Sequence, residues 1–257
     1  MRTVLIMSIP EELRPFLRTV RHRRERLAGM TVWHFEGRGC QGIALLAGMG
    51  GAAPRRLAQQ AIAVFGPDWV GVAGFGGAIT ALPGPGGVVV AGECWRLSPS
   101  GRELSRQAFH PAAPATVLAA HLAAQGLEVR AGAFVTTPRM TAKASLPIQA
   151  RQLICPVLDL ETAEIAAAAQ DADLPLVAVR AITDGGGEEI QAFLADMIDK
   201  HHGVPLARLL PKLWGQPRRL RYLMHLWRRS RLAGGRLAMA VNLILDYFSE
   251  QSPRLRA

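Results

Sequence analysis

Cysteine is scarce. Cys40, Cys94 and Cys155 lie far apart and form no Cys-x-x-Cys pair, which excludes a disulfide scaffold, offers no zinc-ligand spacing and makes a reducing cytoplasm the expected compartment. Lysine is scarcer than the charge implies: of 30 basic residues only Lys143, Lys200 and Lys212 are lysines. Long apolar runs are missing as well. Val4 to Met7 is too short for a signal peptide, and the uncharged stretch 69–92 is interrupted by Gly and Pro, which argues against a membrane-spanning helix. No nucleic-acid recognition module is legible, so the basic balance does not by itself point to nucleic acid.

The 257 residues, 49% of them hydrophobic, suit one sizeable α/β domain with an appendage. The net charge of +10 is local: seven Arg fall between 218 and 236 with no acid among them. The most informative stretch runs from Leu153 to Asp184. A short apolar segment leads to Asp159-Leu160-Glu161, an Ala-rich run over 161–172 reads as a helix, and Leu176 to Ile182 reads as a buried strand before three glycines. This strand–helix–strand unit predicts two parallel strands, each ending in a carboxylate, Glu161 and Asp184. Ligands of open α/β sheets bind beyond such carboxyl ends.

Asp159-Leu-Glu-Thr-Ala-Glu-Ile-Ala followed by Val177-Ala-Val-Arg-Ala-Ile-Thr-Asp184 resembles the purine nucleoside phosphorylase superfamily, most nearly its methylthioadenosine/S-adenosylhomocysteine nucleosidase branch. The resemblance implies a three-layer αβα fold with a central mixed β-sheet and cleavage of the N-glycosidic bond of an adenosine-type purine nucleoside. It makes Asp184 the acid that protonates the base and Glu161 the ligand of the ribose hydroxyls, beside Leu160. The chemistry suits carboxyl groups, because the leaving base needs a proton and the ribosyl centre becomes cationic. A bland account remains for each: Glu161 at a helix N-terminus and Asp184 at a turn.

The remainder of the chain follows the same pattern. A first strand over residues 2–8 enters Pro10-Glu11-Glu12-Leu13, where the resemblance makes Glu12 the base that positions water; acids in a first helical turn also fit a plain helix start. The Gly-rich turn with a phosphate-binding Arg found in the phosphorylases is missing here, although Arg14 keeps phosphate open as a co-substrate. No other cofactor and no metal site is implied. Residues 16–28 read as a basic helix or loop, Thr31–Phe35 and Ile43–Ala47 as a hairpin pair, and 93–112 as a loop around His110. Gly48-Met-Gly50-Gly51-Ala52-Ala53 matches a dinucleotide-binding turn, yet too many strands precede it, and the resemblance gives Gly50 a place near the ribose instead. Gly74-Phe75-Gly76-Gly77 matches a pocket-lining turn of the family, with Phe75 replacing its serine. Met140 stands where the family has a base-stacking Phe, and an adaptable thioether is a softer contact.

The resemblance covers roughly residues 1–203. The part from 204 to 257 reads as a basic helical extension: Leu220, Leu223, Met224 and Trp227 recur at helical spacing among arginines, Gly234-Gly235 breaks the helix, and a second helix runs to Phe248. Packing on the domain or on a dimer partner is one account of it. Peripheral contact with an anionic membrane is the other, and that would suit a lipid 5′ substituent such as that of adenosylhopane, the substrate of a hopanoid-associated branch. An NAD(P)-dependent oxidoreductase and a non-catalytic nucleoside sensor are the alternative functions.

Overall fold

The computed structural model describes residues 1–37, 39–48, 50–189 and 217–251. In chain order they form β1 (Arg2–Met7), α1 (Pro10–Leu17), β2 (Arg21–Leu27), β3 (Met30–Gly37), β4 (Cys40–Leu46), α2 (Ala53–Phe65), β5 (Trp69–Ala78), β6 (Val88–Leu97), β7 (Leu104–Gln107), α3 (Ala115–Ala124), β8 (Val129–Thr136), α4 (Ile148–Gln152), β9 (Val157–Asp159), α5 (Thr162–Asp171), β10 (Leu176–Asp184) and α6 (Pro217–Gln251). The strands make one mixed sheet in the order β10-β6-β8-β9-β5-β1-β4-β3-β2, with β7 on β6. Because β5 pairs with both β9 and β10, five of the strands close on themselves.

Two apolar layers cover the sheet. Phe16 and Leu13 of α1, Leu118 and Leu122 of α3, and Leu237, Val241, Leu245 and Phe248 of α6 fill one face. Ala58 and Ala61 of α2 and the alanines of α5 fill the other. Small side chains on α2 and α5 let these helices sit close to each other and to the strands. The three-layer αβα architecture with a mixed sheet is thus present.

Four local expectations are corrected. Residues 21–27 form the edge strand β2 rather than a helix or loop, antiparallel to β3. Its arginines stand in water, and charge on an edge strand hinders pairing with another chain. Within 93–112, β6 continues to Leu97 and turns back as β7. The strands β9 and β10 are antiparallel, not parallel: β5 runs parallel to β10 and antiparallel to β9. The cause is the closed ring, whose curl brings the three-residue β9 against only the tip of β5, at Gly77 and Ala78. Finally, Gly234-Gly235 does not break the C-terminal helix, and α6 runs unbroken for 35 residues. A Cβ on Gly234 would lie 3.1 Å from Pro15 and 3.2 Å from the Glu11 carbonyl, so this glycine serves close packing of α6 on α1. The cost of glycine inside a helix, about 1 kcal/mol, is offset by the face that α6 buries. The helix expected over 188–201, with His201 and His202, lies from residue 190 onward outside the described residues, as does the boundary expected at 203.

Candidate active site

The register at the tip of β5 assembles the site. Gly77 pairs with Asp184 on one side and with Leu158 on the other, so the ends of β9 and β10 reach one place although the strands run in opposite directions. A cavity of about 390 Å³ opens there, within the usual range for small-molecule sites. Glu12, Phe75, Gly76, Gly77, Met140, Leu160, Glu161 and Asp184 all line it. Gly50 does not; its Cβ position faces the Pro138 carbonyl at 3.3 Å. The glycine turn at 48–53 joins β4 to α2, and neither Gly48 nor Gly51 reaches the cavity. Arg14, Arg55 and Arg56 are likewise absent from its wall, and among the described residues Lys143 is the cation that lines it.

Glu12 is 3% exposed. One carboxylate oxygen accepts N–H bonds from Ser8 (2.7 Å) and Ile9 (3.1 Å), closing the start of α1, and the other accepts the Phe75 N–H at 2.7 Å. The helix-start role and a place in the cavity therefore belong to one side chain. Burial pushes its pKa up, against the pull of Arg180 and of these backbone donors. Gly74 has to be glycine here, since a Cβ would lie 2.9 Å from the Glu12 carboxylate and closer still to the Arg180 guanidinium.

Glu161 precedes α5 without capping it. Its carboxylate reaches Arg180 Nη2 at 3.2 Å. Burial raises its pKa to about 7, with Arg180 opposing and Asp159 and Glu12 adding to the rise. The N-terminus of α5 is held from β8 instead: Thr136 Oγ1 accepts the Ala163 N–H at 2.9 Å and donates to Asp159 Oδ1 at 2.5 Å.

Raised carboxyl pKa values set the pH dependence of stability. Between the ordinary value of 4.5 and about 7 the folded protein keeps a proton on Glu161 that the unfolded chain has released. Stability contributed by this group is complete below 4.5 and is lost as pH rises through 7, and Glu12 acts with the same sign. Thermal melts should therefore show Tm falling over this window, with the slope reduced in Glu161→Gln. A slope that the substitution leaves unchanged would contradict this assignment.

Arg180, Asp159 and Lys143 are among the polar residues that sequence reasoning passed over. Arg180 is 1% exposed in the middle of β10. Its Nη2 lies 2.8 Å from Asp159 and 3.2 Å from Glu161 and donates to Thr162 at 2.9 Å. The signal was present: one arginine inside the apolar run Leu-Val-Ala-Val-Arg-Ala-Ile has to be buried with partners. Lys143 is 4% exposed and stands 2.5 Å from Asp184 Oδ2.

A model of the phosphorylase superfamily matches residues 2–210 of the chain. No curated protein matches it. Solved structures share its fold. The 5′-methylthioadenosine/S-adenosylhomocysteine nucleosidase of Neisseria meningitidis, in complex with methylthio-immucillin-A, is 17% identical with a TM-score of 0.69, over 96% of this chain and 99% of that one. The futalosine hydrolase of Helicobacter pylori is 15% identical with a TM-score of 0.70, over 96% and 98%. The Campylobacter jejuni methylthioadenosine/S-adenosylhomocysteine nucleosidase is 17% identical with a TM-score of 0.64, over 94% and 99%.

Proposed function

The chain belongs to the phosphorylase superfamily, and from that membership we propose that it hydrolyses the N-glycosidic bond of a purine nucleoside of the adenosine type. The observation that carries this is the gathering of Glu12, Glu161 and Asp184 on one cavity. As the bond from C1′ to N9 breaks, its electrons pass to the purine, which takes a proton from the Asp184 end. Glu161 holds the ribose hydroxyls and faces the cationic sugar. Glu12, made a better proton acceptor by burial, orients and deprotonates the attacking water. Phe75 and Met140 contact the base and sugar by shape and dispersion.

Water is favoured over phosphate because among the described residues no arginine lines the cavity, the buried and fully engaged Arg180 lying behind it. Ile9, Phe75, Met140, Leu158 and Leu160 in the wall favour a hydrophobic 5′ substituent, of which a lipid nucleoside such as adenosylhopane is the extreme case. The test is chromatography of free base released from methylthioadenosine, adenosine, inosine and a lipid-linked adenosine, with and without phosphate. Adenine released without phosphate supports the proposal; release that requires phosphate, or none from any member, refutes it.

We also propose that the protein works in the cytoplasm as a homo-oligomer and touches the anionic inner membrane surface through the N-terminal part of α6. Among the described residues no helix is long and apolar enough to cross a membrane. On α6, however, Met224, Trp227 and Leu232 are each about half exposed beside Arg221, Arg228 and Arg231, and the Arg231 guanidinium lies 4.9 Å from the Trp227 ring. Apolar tips among arginines fit an anionic interface. Sedimentation with anionic vesicles should show salt-sensitive binding that Trp227→Ser weakens; truncation is unsuitable because α6 fills the core. Absence of binding at low salt would refute the contact.

A further inference from the structure

Lys143 and Asp184 form a buried pair that the roles assigned above leave unexplained. Lys143 sits in a single 3-10 turn over residues 143–145, on the segment that follows Met140. Its backbone is fixed by two side chains: the N–H groups of Lys143 and Ala144 donate to the two oxygens of Glu189 at 2.9 and 2.7 Å, and Arg151 donates to the Lys143 carbonyl at 2.9 Å. The side chain runs inward, where the ammonium donates to the Gly185 carbonyl at 2.7 Å and more weakly to that of Asp184 at 3.4 Å. It lies 2.5 Å from Asp184 Oδ2.

The two oxygens of Asp184 are not equivalent. Oδ1 accepts the Thr183 hydroxyl at 2.8 Å. Oδ2 is buried and has the ammonium close by, yet receives no hydrogen bond of proper geometry. A buried acceptor without a donor is costly. Gly77 makes room for the pair, because a Cβ there would lie 2.5 Å from Oδ2 and 3.1 Å from Lys143 Cε. The cavity thus ends in one ammonium donor and one carboxylate acceptor, side by side.

This pattern selects a base. The exposed edge of adenine offers an acceptor, N7, next to a donor, the 6-amino group; a 6-oxopurine offers two acceptors. From this we infer that Lys143 is the residue that contacts N7 and gives it the proton, while Asp184 Oδ2 accepts from the 6-amino group. This rests on the nucleoside-cleaving reading of the cavity and refines it: the proton comes from the lysine, and the pair selects adenine. In the step, an N–H bond of the ammonium breaks and an N7–H bond forms as the electrons of the bond from C1′ to N9 move onto the purine. The neutral amine left behind regains a proton from water after the base departs. An ammonium is a weak acid, so transfer waits until the glycosidic electrons have reached the ring, which couples it to bond cleavage.

Two variants and one altered ligand test this. Lys143→Met should lower kcat/KM by at least a hundredfold for methylthioadenosine and for its inosine counterpart alike, because both bases offer N7. Lys143→Arg keeps a donor at N7 but cannot release its proton, so KM should recover towards wild type while kcat stays low. Calorimetry supplies a readout independent of turnover: the affinity that Lys143→Met loses for adenosine should not be lost for 7-deazaadenosine, which has no acceptor at that position. Equal losses for adenosine and its 7-deaza analogue would show a merely structural lysine and overturn the inference. If wild type releases adenine and Lys143→Met matches it, the inference alone falls. If wild type neither releases base nor binds either probe, the reading of the cavity falls and takes the inference with it.

Discussion

Replacing Arg180 by methionine is expected to cost about 3–5 kcal/mol of stability, because it leaves buried carboxylates without their cation. Asp159 at 2.8 Å and Glu161 at 3.2 Å lose their partner, and Glu12 loses the nearest positive charge. The loss should depend on pH with a definite sign. Near pH 5 the freed Glu161, whose pKa burial already raises, can hold its proton and the penalty is smaller; near pH 8 it must ionise in a buried site or unfold the protein. Denaturant melts of both proteins at the two pH values check this. A penalty that does not grow with pH would mean that the guanidinium contributes packing rather than charge.

Replacing Asp184 by asparagine is expected to lower kcat roughly 10²–10⁴-fold, the usual worth of positioned proton transfer. The side chain keeps its shape and its acceptor towards Thr183. It loses the charge that holds the Lys143 ammonium in place, so the proton source is disarranged. Steady-state kinetics with methylthioadenosine, beside a Tm measurement, separates the chemical effect from unfolding. Full activity in this variant would leave the cavity as a nucleoside-binding site whose chemistry lies elsewhere.

Much of the fold was legible because burial writes itself into residue type. β10 has all nine residues buried, and from Leu176 to Ile182 it reads as an apolar run save for Arg180. The run of alanines after Glu161 reads as helix, and α5 forms there. What the sequence could not disclose was direction and closure. Whether β9 lies parallel or antiparallel to β10 depends on the curl of a ring in which paired residues of β5 and β10, such as Val70 and Leu176, are more than 100 positions apart, and three residues carry no periodic signal of their own. The glycine pair in α6 misled for a related reason: glycine weakens a helix locally, while the contact that compensates, with Pro15 of α1, is remote in sequence.

The site divides in the same way. Glu12, Glu161 and Asp184 were legible because each follows a motif and each reaches the cavity. Gly50 sits in an equally suggestive motif, but its turn opens towards the Pro138 carbonyl and away from the cavity wall. Lys143 lies in an unremarkable segment, Thr-Ala-Lys-Ala-Ser. Only its rarity marked it, as one of three lysines in a chain that otherwise uses arginine, and rarity does not say where a side chain points.

The central claim is that water, placed by Glu12, attacks C1′ of a purine nucleoside. The most direct test is a single-turnover reaction of excess enzyme with methylthioadenosine in heavy-oxygen water containing phosphate, with mass spectrometry of the sugar product. Free methylthioribose carrying the heavy oxygen at C1, formed at the same rate with or without phosphate and suppressed in Glu12→Gln, is the predicted result. A methylthioribose 1-phosphate product, or labelled sugar formed at an undiminished rate by Glu12→Gln, would contradict it.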